Sequence, residues 1–173
     1  MKLIAHRGKT NAKDIPNTRV TILKALSLPY VSGIECDVRL TKDYKVVVIH
    51  DPVIDFVSNG SGIVKYMTLK ELKKYQFGDS KNPEKILELK ELLKKTTSLK
   101  KLIIIELKGE KDNYKLVEEV NYIIKKYPNQ NIIVVSFWKK LLDYFKKINP
   151  SISLGLLLGY SLNQNHTYNH FDY

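Results

Sequence analysis

The sequence predicts an α/β domain built on a largely parallel sheet. Short apolar runs alternate with segments of helical apolar spacing along most of the chain. Several of those runs are apolar at consecutive positions, as strands covered on both faces must be. Four of them end in ionisable residues, and ligands in α/β folds gather at the C-terminal ends of strands.

In chain order, Lys2 to Ala5 reads as a first strand, and Asn17-Thr18 as the cap of a helix reaching about Leu28. Val20, Leu23, Ala25 and Leu26 form that helix's apolar side, and Pro29 ends it. Ser32 to Val38 is a second strand and Lys45 to Ile49 a third, followed by the turn-rich Ser58-Asn59-Gly60-Ser61-Gly62. Thr68, with Glu71 placed for a capping box, opens a helix to about Tyr75. A Lys- and Leu-rich helix is predicted from about Glu84 to Lys95, then a strand over Leu102 to Leu107 and a helix over Asn113 to Tyr127. Ile132 to Ser136, a helix over Phe137 to Ile148, and Ile152 to Leu158 complete six strands. Six strands with outer helices suit either an incomplete eight-stranded barrel or a doubly wound sheet, and pattern alone does not choose. Only about seven residues join the second and third strands, too few for a parallel crossover, so the residues alone predict a hairpin turning at Lys42-Asp43.

The 173 residues, 43% hydrophobic, suffice for one domain with a core; with no repeat or linker, residues 1–173 are read as a single unit. No apolar run approaches the roughly 18 residues of a membrane span, so stable membrane insertion is not expected. The N-terminal apolar stretch is too short for a signal peptide, and the single cysteine, Cys36, excludes an intramolecular disulfide. The expected compartment is the cytoplasm. The net charge of +11 could attract nucleic acid, but the basic residues are nearly all lysine, with arginine only at positions 7, 19 and 39. Nucleic-acid readers favour arginine's planar fork; the charge is read as a solvated surface, with no nucleic-acid partner.

Strand side chains alternate faces, so Glu35 and Asp37 share one face while Cys36 and Val38 pack behind. Two carboxylates side by side in a sheet repel and are desolvated; a bound cation or a shared proton relieves this, and hard cations such as Mg²⁺ and Ca²⁺ prefer oxygen ligands. Glu106 and Lys108 share a face at the end of the fourth strand, His6 ends the first and His50 the third. His166 and His170 stand at helical spacing, but the Asn- and Tyr-rich tail around them shows no helical pattern and is read as loose.

Ile4-Ala5-His6-Arg7-Gly8, Ile34-Glu35-Cys36-Asp37-Val38 with Thr41-Lys42-Asp43, Val48-Ile49-His50-Asp51, Ile104-Ile105-Glu106-Leu107-Lys108 and Ser136-Phe137 follow one another in the order and spacing of a known family. The sequence resembles the glycerophosphodiester phosphodiesterases from residue 3 to about 158. The resemblance implies a TIM-type (β/α)₈ barrel, incomplete here with about six strands and its C-terminal strands missing, with Phe171-Asp172-Tyr173 where another strand would begin. It favours a parallel second and third strand, which would put Glu35, Asp37 and His50 at one barrel end, over the hairpin. It also implies one divalent cation, Mg²⁺ or Ca²⁺, on Glu35, Asp37 and Glu106, with His6 and His50 as general acid and base and Arg7 and Lys108 on the phosphate. The implied substrate is a small glycerophosphodiester, cleaved to sn-glycerol 3-phosphate and an alcohol. The family's Pro-Glu-Asn-Thr is Ile15-Pro16-Asn17-Thr18 here, so the glutamate is lost, Asn17 is kept, and Asp14 is no obvious replacement. An inactive remnant of the family, a related phospholipase-type enzyme and a basic nucleic-acid-binding domain are the competing readings.

Overall fold

A computed structural model of the chain describes residues 2–79 and 81–159. The tail with His166, His170 and Phe171 lies outside the described residues.

Six strands form one sheet. Five of them, β1 (Leu3–Ala5), β2 (Val31–Leu40), β6 (Leu102–Leu107), β7 (Ile132–Ser136) and β8 (Ser153–Leu156), are parallel neighbours in that order. The connections between them carry α1 (Arg19–Ser27), α3 (Leu89–Thr96), α4 (Tyr114–Ile124) and α5 (Lys139–Ile148). The arrangement is that of a barrel seen in part. The sixth strand, β3 (Val46–Val48), pairs antiparallel with the far end of β2, Val38 opposite Val48 and Leu40 opposite Val46.

That pairing overturns the expectation that β3 runs parallel to β2 and bears out the hairpin read from the residues. The connection over 41–45 is a tight turn: the Thr41 amide donates to the Lys45 carbonyl, and Tyr44 is left-handed at φ 58°. These five residues are too few for a parallel crossover.

Alternation along the strands divides the sheet into two faces. Ile34, Cys36 and Val38 of β2 join Ile103, Ile105 and Leu107 of β6 and Val134 of β7 in the main core, against Ile22, Leu26, Leu89, Leu93, Val117, Val120 and Phe145 of the helices. The opposite face of β2 and β6 carries Glu35, Asp37 and Glu106 inward. Gly33 marks the closest approach of β2 to β6: a Cβ there would stand 2.3 Å from the Leu102 carbonyl oxygen. A second, smaller core of Val47, Ile49, Ile54, Val64, Leu72, Phe77 and Ile86 lies beneath the segment that follows β3.

One helix buries a different face from the one predicted, and two helix boundaries shift. In α1, Ile22 and Thr21 are buried with Ala25 and Leu26, whereas Val20 is 58% exposed. The helix capped by Thr68 does have its capping box with Glu71, yet α2 spans only Leu69–Leu72. The predicted helix from Glu84 starts at Leu89 instead. Glu84 closes a small hairpin of β4 (Phe77–Asp79) and β5 (Asn82–Glu84) and accepts a hydrogen bond from the Val20 amide at 3.2 Å, serving the start of α1.

Replacing Gly33 by alanine should destabilise the protein by about 3 kcal/mol, because backbone and not a flexible side chain must yield. Gly159→Ala, whose nearest neighbour would be Phe137 at 3.8 Å, should be near neutral. Denaturant unfolding of the two variants tests the contrast.

Candidate active site at the strand ends

The site begins where β1 stops. A tight turn over His6–Gly8 follows Ala5, with Arg7 left-handed at φ 54° and Gly8 at φ 74°. Glycine is needed at position 8 for room as well as conformation, since a Cβ would meet Ile22 Cγ1 at 2.6 Å and its Cα at 2.9 Å. A left-handed arginine costs about 1 kcal/mol. The turn offsets that by aiming Arg7 into the site: its amide donates to Glu35 Oε2 at 2.9 Å, and its Nε stands 3.2 Å from Asp37 Oδ2.

Asp37 is the centre. It is fully buried and directly opposite Glu106 in the β2–β6 register. Asn17, itself left-handed at φ 60°, donates from Nδ2 to Asp37 Oδ2 at 2.8 Å and accepts from the Asp37 amide at 3.3 Å. Lys108, one residue past β6, brings Nζ within 2.5 Å of Glu106 Oε1 and 3.4 Å of Asp37 Oδ1. His6 is the open edge, 71% exposed, with Nε2 3.7 Å from Glu35 Oε2.

His50 reaches this end of the sheet by way of the hairpin. The two predicted carboxylates lie in the middle of β2, which runs on to Leu40 before turning, so β3 brings the chain back alongside them. The Ile49 amide donates to the Asp37 carbonyl at 3.0 Å, Arg39 Nε donates to the His50 carbonyl at 2.7 Å, and His50 Nδ1 is 2.8 Å from Asp51 Oδ1. A hairpin therefore does not separate His50 from the carboxylates. A carboxylate can only accept, so Nδ1 carries the proton in this bond and Nε2 is left free.

All seven residues singled out by sequence, His6, Arg7, Glu35, Asp37, His50, Glu106 and Lys108, thus stand at one end of the sheet. Two more were not predicted in place. Asn17 holds Asp37 by two hydrogen bonds, and Arg39 ties His50 to β2. The signal for Arg39 was available, because it follows Glu35 and Asp37 at the same period of two. Asp14 has a different job: its carboxylate accepts from Thr10 N and Oγ1, Asn11 N and Lys24 Nζ, stapling the loop after the first turn.

The electrostatics follow from burial. Desolvation, and then the neighbouring Asp37 charge, push Glu35 up to about 7. Desolvation also raises Glu106, with Lys108 opposing. His6 is lowered by its partial burial and then by Arg7, with His50 and Lys108 adding to the effect. Cys36 is fully buried behind the strand, its thiol pushed up by desolvation, as its position predicted.

Among the described residues Glu35 Oε1 has no hydrogen-bond partner, and Asp37 Oδ1 and Glu106 Oε1 have only the Lys108 ammonium, at 3.4 and 2.5 Å. These acids each offer a ligand atom within 4.8 Å of the others. An all-oxygen set with unsatisfied lone pairs fits one hard divalent cation.

The sequence profile of the glycerophosphoryl diester phosphodiesterase family matches residues 6–171. The chain belongs to that family. It is 37% identical over 161 residues to a glycerophosphodiester phosphodiesterase of Caldanaerobacter subterraneus subsp. tengcongensis, a match covering 90% of this chain and 65% of the relative. It is 35% identical to a glycerophosphodiester phosphodiesterase of Bacillus altitudinis, over 90% of this chain and 66% of that one. The crystal structure of a glycerophosphodiester phosphodiesterase from Agrobacterium tumefaciens superposes with a TM-score of 0.74 at 26% identity, over 89% of this chain and 65% of the other. A phosphodiesterase from Oleispira antarctica, solved with its product sn-glycerol 3-phosphate, superposes at 0.82 with 23% identity, over 90% of this chain and 65% of the other. The chain spans about 65% of the length of the first two relatives. The family assignment agrees with the barrel-type sheet and with the carboxylates at its strand ends.

The raised Glu35 carboxyl has a consequence for stability. Its value in the fold, about 7, stands above the ordinary 4.5, so the folded state holds this proton more tightly than the unfolded chain does. The carboxyl then contributes stability in full below about pH 4.5, and that contribution is lost as pH rises to 7. In EDTA, Glu35→Gln should raise stability at pH 8 by about 1–2 kcal/mol, allowing for solvent screening. The gain should shrink towards zero at pH 5. Thermal melts across that pH range check it.

Proposed function

We propose that this chain hydrolyses glycerophosphodiesters to sn-glycerol 3-phosphate and an alcohol, using one divalent cation, Mg²⁺ or Ca²⁺. The three clustered carboxylates of Glu35, Asp37 and Glu106, flanked by two histidines and two cationic side chains, carry the reading. The relatives' names point to the same reaction.

Glu35, Asp37 and Glu106 would hold the cation, which when bound supplies charge to offset the negative charge that develops on the phosphoryl oxygens. Arg7 and Lys108 bind and orient the phosphodiester from two sides, reaching it from the turn after β1 and from the end of β6. Their present pairing with Asp37 and Glu106 keeps both cations aimed at the same point before substrate arrives. His6 and His50 move the protons, one taking that of the attacking hydroxyl and the other protonating the departing alkoxide. Asp51 fixes the tautomer of His50, leaving Nε2 for that exchange. Asn17 acts through Asp37, holding its carboxylate in one orientation.

A small-molecule substrate accounts for the site without a nucleic-acid partner, and among the described residues no helix is long and apolar enough to cross a membrane. A cytoplasmic location goes with this reading, supported by the single, buried cysteine.

Release of sn-glycerol 3-phosphate should be seen with Mg²⁺ or Ca²⁺ and should stop in EDTA. His6→Ala and His50→Ala should each lower kcat by about 10²–10⁴-fold while leaving cation binding by calorimetry intact. Glu35→Ala should abolish both. No release from folded, cation-binding protein would refute the hydrolytic reading and favour an inactive member of the family.

A further inference from the structure

The five parallel strands all start at one end of the sheet, opposite the carboxylates, and α1, α3, α4 and α5 all finish there. That end is surfaced by residues 28–30, 94–101, 125–131 and 146–152. Hydrogen bonds join these segments and their helices into one face. Lys101 Nζ donates to the Leu28 carbonyl at 2.6 Å, Gln130 Nε2 to Thr96 Oγ1 at 2.6 Å, and Asn149 Nδ2 to Asn121 Oδ1 at 2.9 Å. From composition, the net charge of +11 reads as a solvated surface; the fold gathers much of it here.

None of the four segments contains an aspartate or a glutamate, and three of them bring paired lysines: Lys94-Lys95 with Lys100-Lys101, Lys125-Lys126, and Lys146-Lys147. All are exposed except the half-buried Lys101. Where these lysines have partners among the described residues, the partners are neutral. Lys101 and Lys146 donate to the carbonyls of Leu28 and Pro150, and Lys126 stands 4.0 Å from the centre of the Tyr122 ring. The acids of the helices sit nearer the other end, with their own cations: Glu91 with Arg19, Glu119 with Lys115, and Asp143 with Lys139. Helix dipoles favour a cation in each last turn and so account for part of the pattern. They do not account for Lys100, which lies beyond α3 in left-handed backbone at φ 52°, nor for the lack of any acid in between.

The composition of the face selects its partner. Lysine without arginine offers point charges and no planar fork, which suits a diffuse anionic surface better than the bases or paired phosphate oxygens of a nucleic acid. Tyr30, 63% exposed, and Tyr122, 60% exposed, add amphipathic rings of the kind that settle among lipid headgroups. A protein held by this end turns the opposite end of the sheet, with His6 and His50, towards the solvent.

We propose that this face docks the protein on anionic lipid surfaces by charge, without insertion, and leaves the carboxylate end open to solutes. The full chain should co-sediment with vesicles of equal parts phosphatidylglycerol and phosphatidylcholine but not with pure phosphatidylcholine. It should come off as salt rises from about 0.05 to about 0.5 M. Lys94→Glu, Lys100→Glu and Lys125→Glu together should weaken vesicle binding at least about tenfold. The glutamine triple at the same positions should fall between that variant and wild type. Lys13→Glu, Lys45→Glu and Lys111→Glu, the same change of charge at the carboxylate end, should weaken binding far less. All six positions are exposed, so thermal melts of the variants should match wild type. No binding at low salt, or equal loss from the two glutamate triples, would overturn the docking face. Tighter binding of a DNA oligonucleotide than of vesicles at the same salt, lost in the first triple alone, would overturn the lipid partner in favour of nucleic acid. Binding is read without turnover, so the outcome is independent of the proposed hydrolysis.

Discussion

Asp37 is a carboxylate with no access to solvent, and the upper end of the sheet is arranged around that fact. Its neighbours in the register and along the strand, Glu106 and Glu35, are acids too, so the sheet itself does not neutralise it. Compensation comes from three other elements: Arg7 from the turn after β1, Asn17 from the loop before α1, and Lys108 from beyond β6. Left-handed backbone at Arg7 and Asn17, and the close fit of Gly8 against Ile22, are what deliver two of those groups. Even so, Glu35 Oε1 lacks a hydrogen bond among the described residues, and the one Lys108 ammonium is shared between Asp37 Oδ1 and Glu106 Oε1. A stable fold would normally avoid this. Retaining it is consistent with the cation proposed for this cluster.

The helices on the other face make that concession tolerable. Ile34, Cys36 and Val38 alternate with the acids on β2 and lie in a continuous apolar core with Ile103, Ile105, Leu107 and Phe145. One strand thus anchors the domain with every second residue and builds the site with the rest. The same division explains why Glu35 and Glu106 are raised: they sit at the end of a sheet whose low-dielectric backing stops just behind them.

The hairpin is the other device on which the site depends. β2 runs past the acids, turns at 41–45 and returns as β3, so that Ile49 bonds to Asp37 and His50 comes to rest where Arg39 holds its carbonyl. The same return places Asp51 against His50. Overshoot and return achieve what a parallel crossover would have needed many more residues to do.

Much of this was legible in the chain itself. Period-two alternation placed Glu35 with Asp37 and Glu106 with Lys108, and Cys36 behind, because a strand's side-chain direction is a local property. The short link after β2 predicted a hairpin on length alone, and the residues were right where the implied parallel pairing was not. Helix ends were less secure: α3 begins at Leu89 because Glu84 is drawn into β5 and the cap of α1, a choice made by a partner 64 residues away. The meeting of Asn17 with Asp37, of Arg39 with the His50 carbonyl, and of the three acids in one cluster could not be read from spacing. Those contacts depend on how far β2 extends, how the first turn bends and how the strands register, which are settled only when the whole sheet and its helices pack together. By itself, the sequence determined which ionisable residues end the strands and which face of each strand they occupy; the tertiary structure decided which of them touch.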